Sequence, residues 1–213
     1  MLKFISKQEG QILIFGLFSL LAYLAGIIST YFISVDDANN LLIMTITNFI
    51  FGRAAGISYG LSATFSEELI ILINIIIELI TVMIIYPLFV FSWKKSLTIK
   101  GLQDFFSKVK ELRLKYSDFF EKYGKYGLFI FVWFPFWMTG PVVGAIIGFL
   151  IGIKHYHTMF IVGVGTSLAI VVWTYFLKEI MLLLNQVSSY APYILLAIFI
   201  IIALLFRFIK SEK

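Results

Sequence analysis

The sequence predicts an all-α integral membrane protein, built as an inverted repeat of two re-entrant hairpins with about four transmembrane helices and one amphipathic surface helix. Three observations carry this. Of 213 residues, 61% are hydrophobic and 14% charged, at a mean hydropathy of +0.98. A soluble domain carries about 25% charged residues and needs polar side chains to cover its surface. Secondly, two apolar stretches are interrupted in their middles by Gly, Pro or Arg. Thirdly, the glycines of those two stretches recur in one register. A single transmembrane domain over 1–213 is expected, with repeat one at about 41–93, a basic helix at about 100–124 and repeat two at about 126–181.

In chain order, Gln11 to Ile33 is apolar over the roughly 20 residues that a span needs. It is too long for a signal-peptide core and has no A-x-A cleavage pattern, so it reads as a retained span. Asp36, Asp37, Asn39 and Asn40 make a polar break. Leu41 to Phe65 is interrupted at Gly52-Arg53-Ala54-Ala55-Gly56. It is too short for two spans, and its charged, glycine-flanked break argues against one. A hairpin that enters and leaves by the same face fits better, since such backbone is tolerated where protein or water covers it. Glu67 to Trp93 is a full span carrying Asn74 and Glu78.

Residues 94–125 bring nine Lys and Arg together with apolar residues at helical spacing, among them Phe105, Val109, Leu112 and Tyr116, bracketed by Gly101 and Gly124. This reads as a basic amphipathic helix on the membrane surface, meeting anionic lipid. Tyr126 to Gly152 is broken at Pro135 and at Thr139-Gly140-Pro141, giving the second hairpin. Two spans follow, near Tyr156–Leu177 and Tyr190–Phe208.

Charge supports the map. With a cytoplasmic N-terminus and each hairpin returning to its own face, all of the 17 Lys and Arg except Arg53 and Lys178 fall inside. Asp36, Asp37, Glu67, Glu68 and Glu179 fall outside. This positive-inside pattern places both termini in the cytoplasm and accounts for the net charge of +5 without a nucleic acid partner.

Gly52, Gly56 and Gly60 align one for one on Gly140, Gly144 and Gly148, and the same shift carries 67–93 onto 155–181. Spacing of four places glycines on one helix face, where backbones approach closely. Two such units of opposite orientation are the plan of many transporters, with a site near the midplane between broken helices. A glycine zipper shared by unrelated membrane helices is the plainer alternative.

Arg53 is the most informative residue. A guanidinium at membrane depth costs at least ~2.5 kcal/mol unless paired or hydrated. It suits an anion such as a phosphate headgroup; in a shallow hairpin it would instead reach the interface. Glu78 lies one turn beyond Asn74 on the same face. It is read as a proton carrier or as a structural partner of Arg53. Asn48 in the first hairpin, and Pro135, Thr139 and Gly140 in the second, supply polar and freed backbone groups for a cavity; a mere kink is the alternative.

Other chemistries find little footing. With no cysteine, disulfides and thiolate sites are excluded. His155 and His157 are two apart and do not share a helix face, and zincin, Walker and dinucleotide patterns are missing. Gly56-Ile57-Ser58-Tyr59-Gly60 matches G-x-S-x-G, but that motif needs a strand-to-helix elbow and a nearby His and acid. No enzyme activity, metal or cofactor is expected.

Phe120-Glu121-Lys122-Tyr123-Gly124-Lys125-Tyr126-Gly127-Leu128-Phe129, then Pro135-x-x-x-Thr139-Gly140-x-x-x-Gly144-Ala145, resemble the DedA/VTT superfamily and, within it, the prokaryotic small multi-drug export proteins. Arg53-Ala54-Ala55-Gly56-Ile57-Ser58-Tyr59-Gly60 is similar to the family's first hairpin. The similarity covers about 45–180. Phe51 and Gly52 stand where the family has an acid before the arginine, and Met138 stands where DedA proteins have a second arginine. The resemblance implies opposed re-entrant hairpins, a prokaryotic plasma membrane, and movement of a polyprenyl phosphate or phospholipid.

The function expected is therefore translocation of an anionic lipid headgroup. Arg53 would bind it, with Asn48, Asn74 and Thr139 hydrogen-bonding and Glu78 coupling protons. Proton-coupled export of small amphipathic cations and a non-transporting scaffold are the alternatives. Membrane lipids are the expected partners, and the chain is a monomer or homodimer.

Overall fold

The computed structural model describes residues 7–63, 65–93, 103–115, 117–133 and 140–186, together with 190, 194, 197, 198 and 201. All regular structure among them is helical: α1 (Gln8–Tyr31), α2 (Val35–Phe51), α3 (Arg53–Ser62), α4 (Glu67–Trp93), α5 (Gln103–Lys115), α6 (Ser117–Trp133), α7 (Pro141–Leu150) and α8 (His155–Asn185). Three are long and apolar enough to cross a membrane: α1, α4 and residues His155–Leu183 of α8. The chain is a multi-pass membrane protein. The span expected at 190–208 lies almost wholly outside the described residues.

Local chemistry sets the ends of these helices. Ser34 caps α2, its hydroxyl accepting from the Asp37 amide at 3.2 Å, with Asp36 and Asp37 in the positive first turn. The polar break expected at 36–40 is thus the start of a helix rather than a loop. α2 ends at Gly52, whose φ of 90° is open to glycine and strained for other residues. α3 starts at the next residue, so the interruption expected over 52–56 is confined to one position. Gly140 precedes α7, and Pro141 takes the first helical position, where its missing N–H costs nothing.

The basic segment also differs from expectation. One helix over 100–124 was predicted; two are found, α5 and α6, and residues 94–102, with Lys94, Lys95 and Lys100, lie outside the described set. Gly124, at φ 48°, kinks α6 without ending it, because Tyr126 to Trp133 continue as helix. α5 is amphipathic as expected: Val109 is fully buried, while Lys108, Glu111 and Lys115 are exposed.

The chain forms two compact units, each discontinuous in sequence. One holds 1–24, 78–134 and 138–167, and the other 25–77, 135–137 and 168–213. The core of the first joins Tyr86 and Phe89 of α4 to Leu128 and Val132 of α6 and to Val143, Ile146 and Ile147 of α7. The core of the second joins Ala54 and Ile57 of α3 to Ile70 of α4 and to Ile170 and Leu177 of α8.

Candidate functional site

The site begins at the Gly52 hinge. A helix that reverses at one residue lays its two arms antiparallel, so positions equally far from the hinge face each other. α2 and α3 do pack together. A Cβ on Gly56 would stand 2.6 Å from Asn48 Cβ and 2.9 Å from Asn74 Oδ1; one on Gly60 would stand 2.8 Å from Met44 Sδ and from Ile70 Cγ1. The glycine face of α3 is therefore the crossing of three helices. Real Cβ atoms do not come this close, so the sequence must keep glycine there.

Polar side chains fill this crossing. The Asn48 Nδ2 amide donates to Asn74 Oδ1 at 2.5 Å, and Asn74 Nδ2 donates to the Ile70 carbonyl at 2.7 Å. Both asparagines are buried, at 5% and 0% exposure. A buried amide left unpaired costs about 1–3 kcal/mol, so this chain of two hydrogen bonds explains how both persist here. Tyr59 closes the hairpin's far end, its hydroxyl donating to Asn40 Oδ1 at 2.9 Å.

Arg53 is the first residue of α3 and only 2% exposed. It sits where the helix has its unsatisfied N–H groups and positive dipole end. Ser58 is fully buried, and its hydroxyl has no hydrogen-bond partner among the described residues. Seven positions of α3 are buried, including Arg53, Gly56 and Ser58, so this short helix is enclosed on nearly every side.

The structure thus brings Asn48, Asn74, Gly56 and Gly60 into one crossing, with Gly52 and Arg53 at the hinge of the same compact unit. Glu78 follows Asn74 by one turn on α4, is 6% exposed, and belongs to the other compact unit. Gly140 is described, with open space around it. Pro135 and Thr139 lie outside the described residues.

α7 repeats the crossing without its polarity. α3 and α7 each have 10 residues, and α2 and α6 each have 17. A Cβ on Gly144 would stand 2.5 Å from Val132 Cγ2; one on Gly148 would stand 2.7 Å from Thr158 Cγ2 and 3.0 Å from Leu128 Cδ2. Gly56 and Gly60 each meet both helices that flank α3, whereas Gly144 meets α6 and Gly148 meets both α6 and α8. Val132 takes the place of Asn48, and the glycine shift carries Asn74 onto Val162, Arg53 onto Pro141 and Glu78 onto Thr166. The polar set is confined to the first crossing.

The sequence reading missed Asn40 and Tyr59. The signal was present: once the hinge is fixed at Gly52, an antiparallel hairpin carries the residues before Met44 towards those flanking Gly60.

Residues 53–172 match the model of the small multi-drug export protein family. No curated protein matches the chain, and no solved structure does.

Proposed function

The chain belongs to the small multi-drug export protein family, and from that premise we propose that it carries an anionic amphipathic molecule across the bilayer, a phosphate-bearing lipid headgroup of the polyprenyl phosphate or phospholipid kind. One observation carries the reading: Arg53 is buried at the start of α3, beside a paired polar crossing, in a protein whose surroundings are otherwise apolar. A guanidinium held there repels cations and offers a planar set of donors that matches phosphate.

In this mechanism Arg53 binds the headgroup at the hinge. The asparagine pair holds α2, α3 and α4 so that the guanidinium keeps its position, and a slight opening of the pair frees amide groups for the cargo. Glu78 carries the coupling proton. Each hairpin is taken as re-entrant, as the resemblance to the DedA/VTT superfamily implies. No covalent chemistry is involved. The protein works in a prokaryotic plasma membrane with both termini in the cytoplasm, as a monomer or homodimer.

Buried Glu78 favours a second reading, proton-coupled export of amphipathic cations, in which Glu78 binds the cation and the proton in turn.

Flux in proteoliposomes separates the two. Labelled polyprenyl phosphate, a labelled zwitterionic phospholipid and a lipophilic cation are followed with wild type and Arg53→Ala under an imposed pH gradient. The first reading expects phosphate-lipid movement that falls at least about tenfold in Arg53→Ala, a loss of about 1.4 kcal/mol. Folded Arg53→Ala that moves the phosphate lipid at the wild-type rate overturns it. Cation movement abolished by Glu78→Gln would establish the second.

A further inference from the structure

The three long apolar helices, α1, α4 and α8, leave a cavity of about 480 Å³ between them, and its wall residues all belong to the first compact unit. Ile12, Val82 and Val162 form a buried back wall. Phe15 is 62% and Tyr156 50% exposed, so the cavity opens on the outer surface of the helices, where the bilayer lies. One end is polar. There Tyr156 donates to Gln11 Oε1 at 2.8 Å and joins the first turn of α8 to that of α1. We propose that this cavity holds one acyl chain of an anionic phospholipid from the surrounding bilayer, with the phosphate at the polar end, in a site that shares no residue with the Arg53 crossing.

The polar end sets the level of the cavity in the membrane. α1 and α8 start side by side there, so both starts lie at one face of the bilayer. From Tyr156 to Gly163 the α8 wall runs about 10 Å, at about 1.5 Å per residue. One leaflet offers about 15 Å of hydrocarbon, half of a core of about 30 Å. The cavity thus stays within one leaflet, and a lipid of that leaflet reaches it sideways with its chain. Two contacts frame it. α1 meets α8 through Gln11, and it meets α4 at Gly16, where an added Cβ would stand 2.8 Å from Met83 Cβ. An apolar cavity gives water too few partners, and an unfilled one forfeits dispersion contact along its walls. The bilayer supplies hydrocarbon at the mouth, and the flexible thioethers of Met83 and Met159 suit an irregular guest.

Charge selects the headgroup. Lys7 lies one turn before Gln11, whose backbone N–H donates to the Lys7 carbonyl at 3.1 Å, and Lys154 directly precedes α8. Both lysines are exposed. The positive dipole ends of α1 and α8 lie at the same place, which favours an anion. Tyr156 occupies Gln11 Oε1 and leaves the Gln11 Nε2 amide as a donor for a phosphate oxygen. Glu9 is the only acid in these two first turns, and it is turned away. It stands two residues from Gln11, on the opposite side of α1, and is buried with Oε2 3.7 Å from His155 Nε2. His155 Nδ1 in turn lies 2.6 Å from the Tyr86 hydroxyl. A zwitterionic headgroup carries its own cation and gains less from this end.

Photocrosslinking reads the site. The protein is placed in phosphatidylcholine nanodiscs with a trace of phosphatidylglycerol, or of phosphatidylcholine, bearing a diazirine midway along one acyl chain. Labelled peptides are mapped by mass spectrometry. The phosphatidylglycerol probe is expected to concentrate on Phe15, Met83 and Met159. Lys7→Gln with Lys154→Gln is expected to cut that labelling at least about fivefold and to leave the phosphatidylcholine probe unchanged. Gly163→Leu fills the cavity, its Cβ at an ordinary 3.6 Å from Leu79 Cδ2, and is expected to abolish labelling at these residues. Met159→Trp fills it from another wall if Gly163→Leu does not fold. The two lysines are exposed, so their variant decides if neither filling variant folds. Adducts spread evenly over the helices, labelling that survives a folded filling variant, or equal labelling by the two probes overturns the proposal. The readout needs no transport, so its outcome is independent of the flux experiment.

Discussion

Asn48 and Asn74 hydrogen-bond to each other from two different helices directly against Gly56, so that one amide pair and one missing side chain together define the crossing of α2, α3 and α4. The Asn48 amide loses its acceptor without Asn74, and neither side chain would fit as it stands if Gly56 carried a Cβ.

The pair is expected to be strongly coupled. Asn74→Val leaves the Asn48 amide buried without its acceptor, a loss of about 1–3 kcal/mol. Asn48→Val costs less, because Asn74 keeps its bond to the Ile70 carbonyl. The double variant puts valine at both places, as the other unit has Val132 against Gly144 and Val162 at the position shifted from Asn74, and is expected to recover about 0.5–3 kcal/mol over the sum of the singles. Thermal unfolding of the four proteins in detergent closes this cycle. Additive losses would mean that the hydrogen bond contributes little. Under the proposed function the double variant folds but loses flux.

Glycine substitutions are expected to rank by what they strike. Gly56→Ala drives a methyl into Asn48 close to its backbone, at 2.6 Å from Cβ and 3.1 Å from Cα, and overpacking of this sort costs typically ~1–3 kcal/mol. Gly60→Ala meets the tip of Met44 and the end of Ile70, which can move aside, so it costs less. Gly26→Ala meets nothing within 4 Å and is expected to be neutral or slightly stabilising. Melting temperatures falling in any other order would remove the crossing from the account.

Much of this crossing was legible in the sequence. The glycine register named Gly56, Gly60, Gly144 and Gly148, and each packs tightly against neighbouring helices. Arg53, Asn48, Asn74 and Glu78 were chosen because polar groups in apolar stretches are expensive, and all four are buried. What the sequence hid was geometry between segments. Asp36 to Asn40 reads as a break by composition, yet Ser34 and the two aspartates are good helix starters, and capping overrode polarity. Gly124 reads as a terminator, yet one glycine at positive φ kinks α6, and the helix continues beyond it. Glu9 and Tyr86 carry no motif at all; they meet His155 only because three helix segments converge in space.

Gly52 is expected to be irreplaceable for a local reason. Its φ of 90° lies in the region where an L side chain strains the backbone, at a cost of roughly 1–2 kcal/mol. Since α2 and α3 reverse at this one residue, relief of the strain must rotate one arm and disturb the Gly56 crossing. Gly52→Ala is expected to unfold at lower temperature than wild type, whereas Gly140→Ala, with extended backbone and nothing within 4 Å, is expected to be benign. Equal stability of these two variants would contradict the hinge.

Glu67 and Lys178 join the start of α4 to α8 at 2.7 Å, with side-chain exposures of 29% and 36%. A pair this open is screened by solvent and holds two long side chains at an entropic cost, so it contributes little. Glu67→Gln and Lys178→Met are each expected to shift unfolding slightly, by less than Gly56→Ala does. The reversed pair, Glu67→Lys with Lys178→Glu, tests whether the contact itself matters. The swap keeps the attraction but places a lysine in the first turn of α4, where the helix dipole disfavours positive charge. It is therefore expected to restore most, not all, of the wild-type stability, with the remaining difference shrinking in high salt. A swap no better than either single charge reversal would show that Glu67 acts through the α4 dipole alone and that Lys178 is incidental to it.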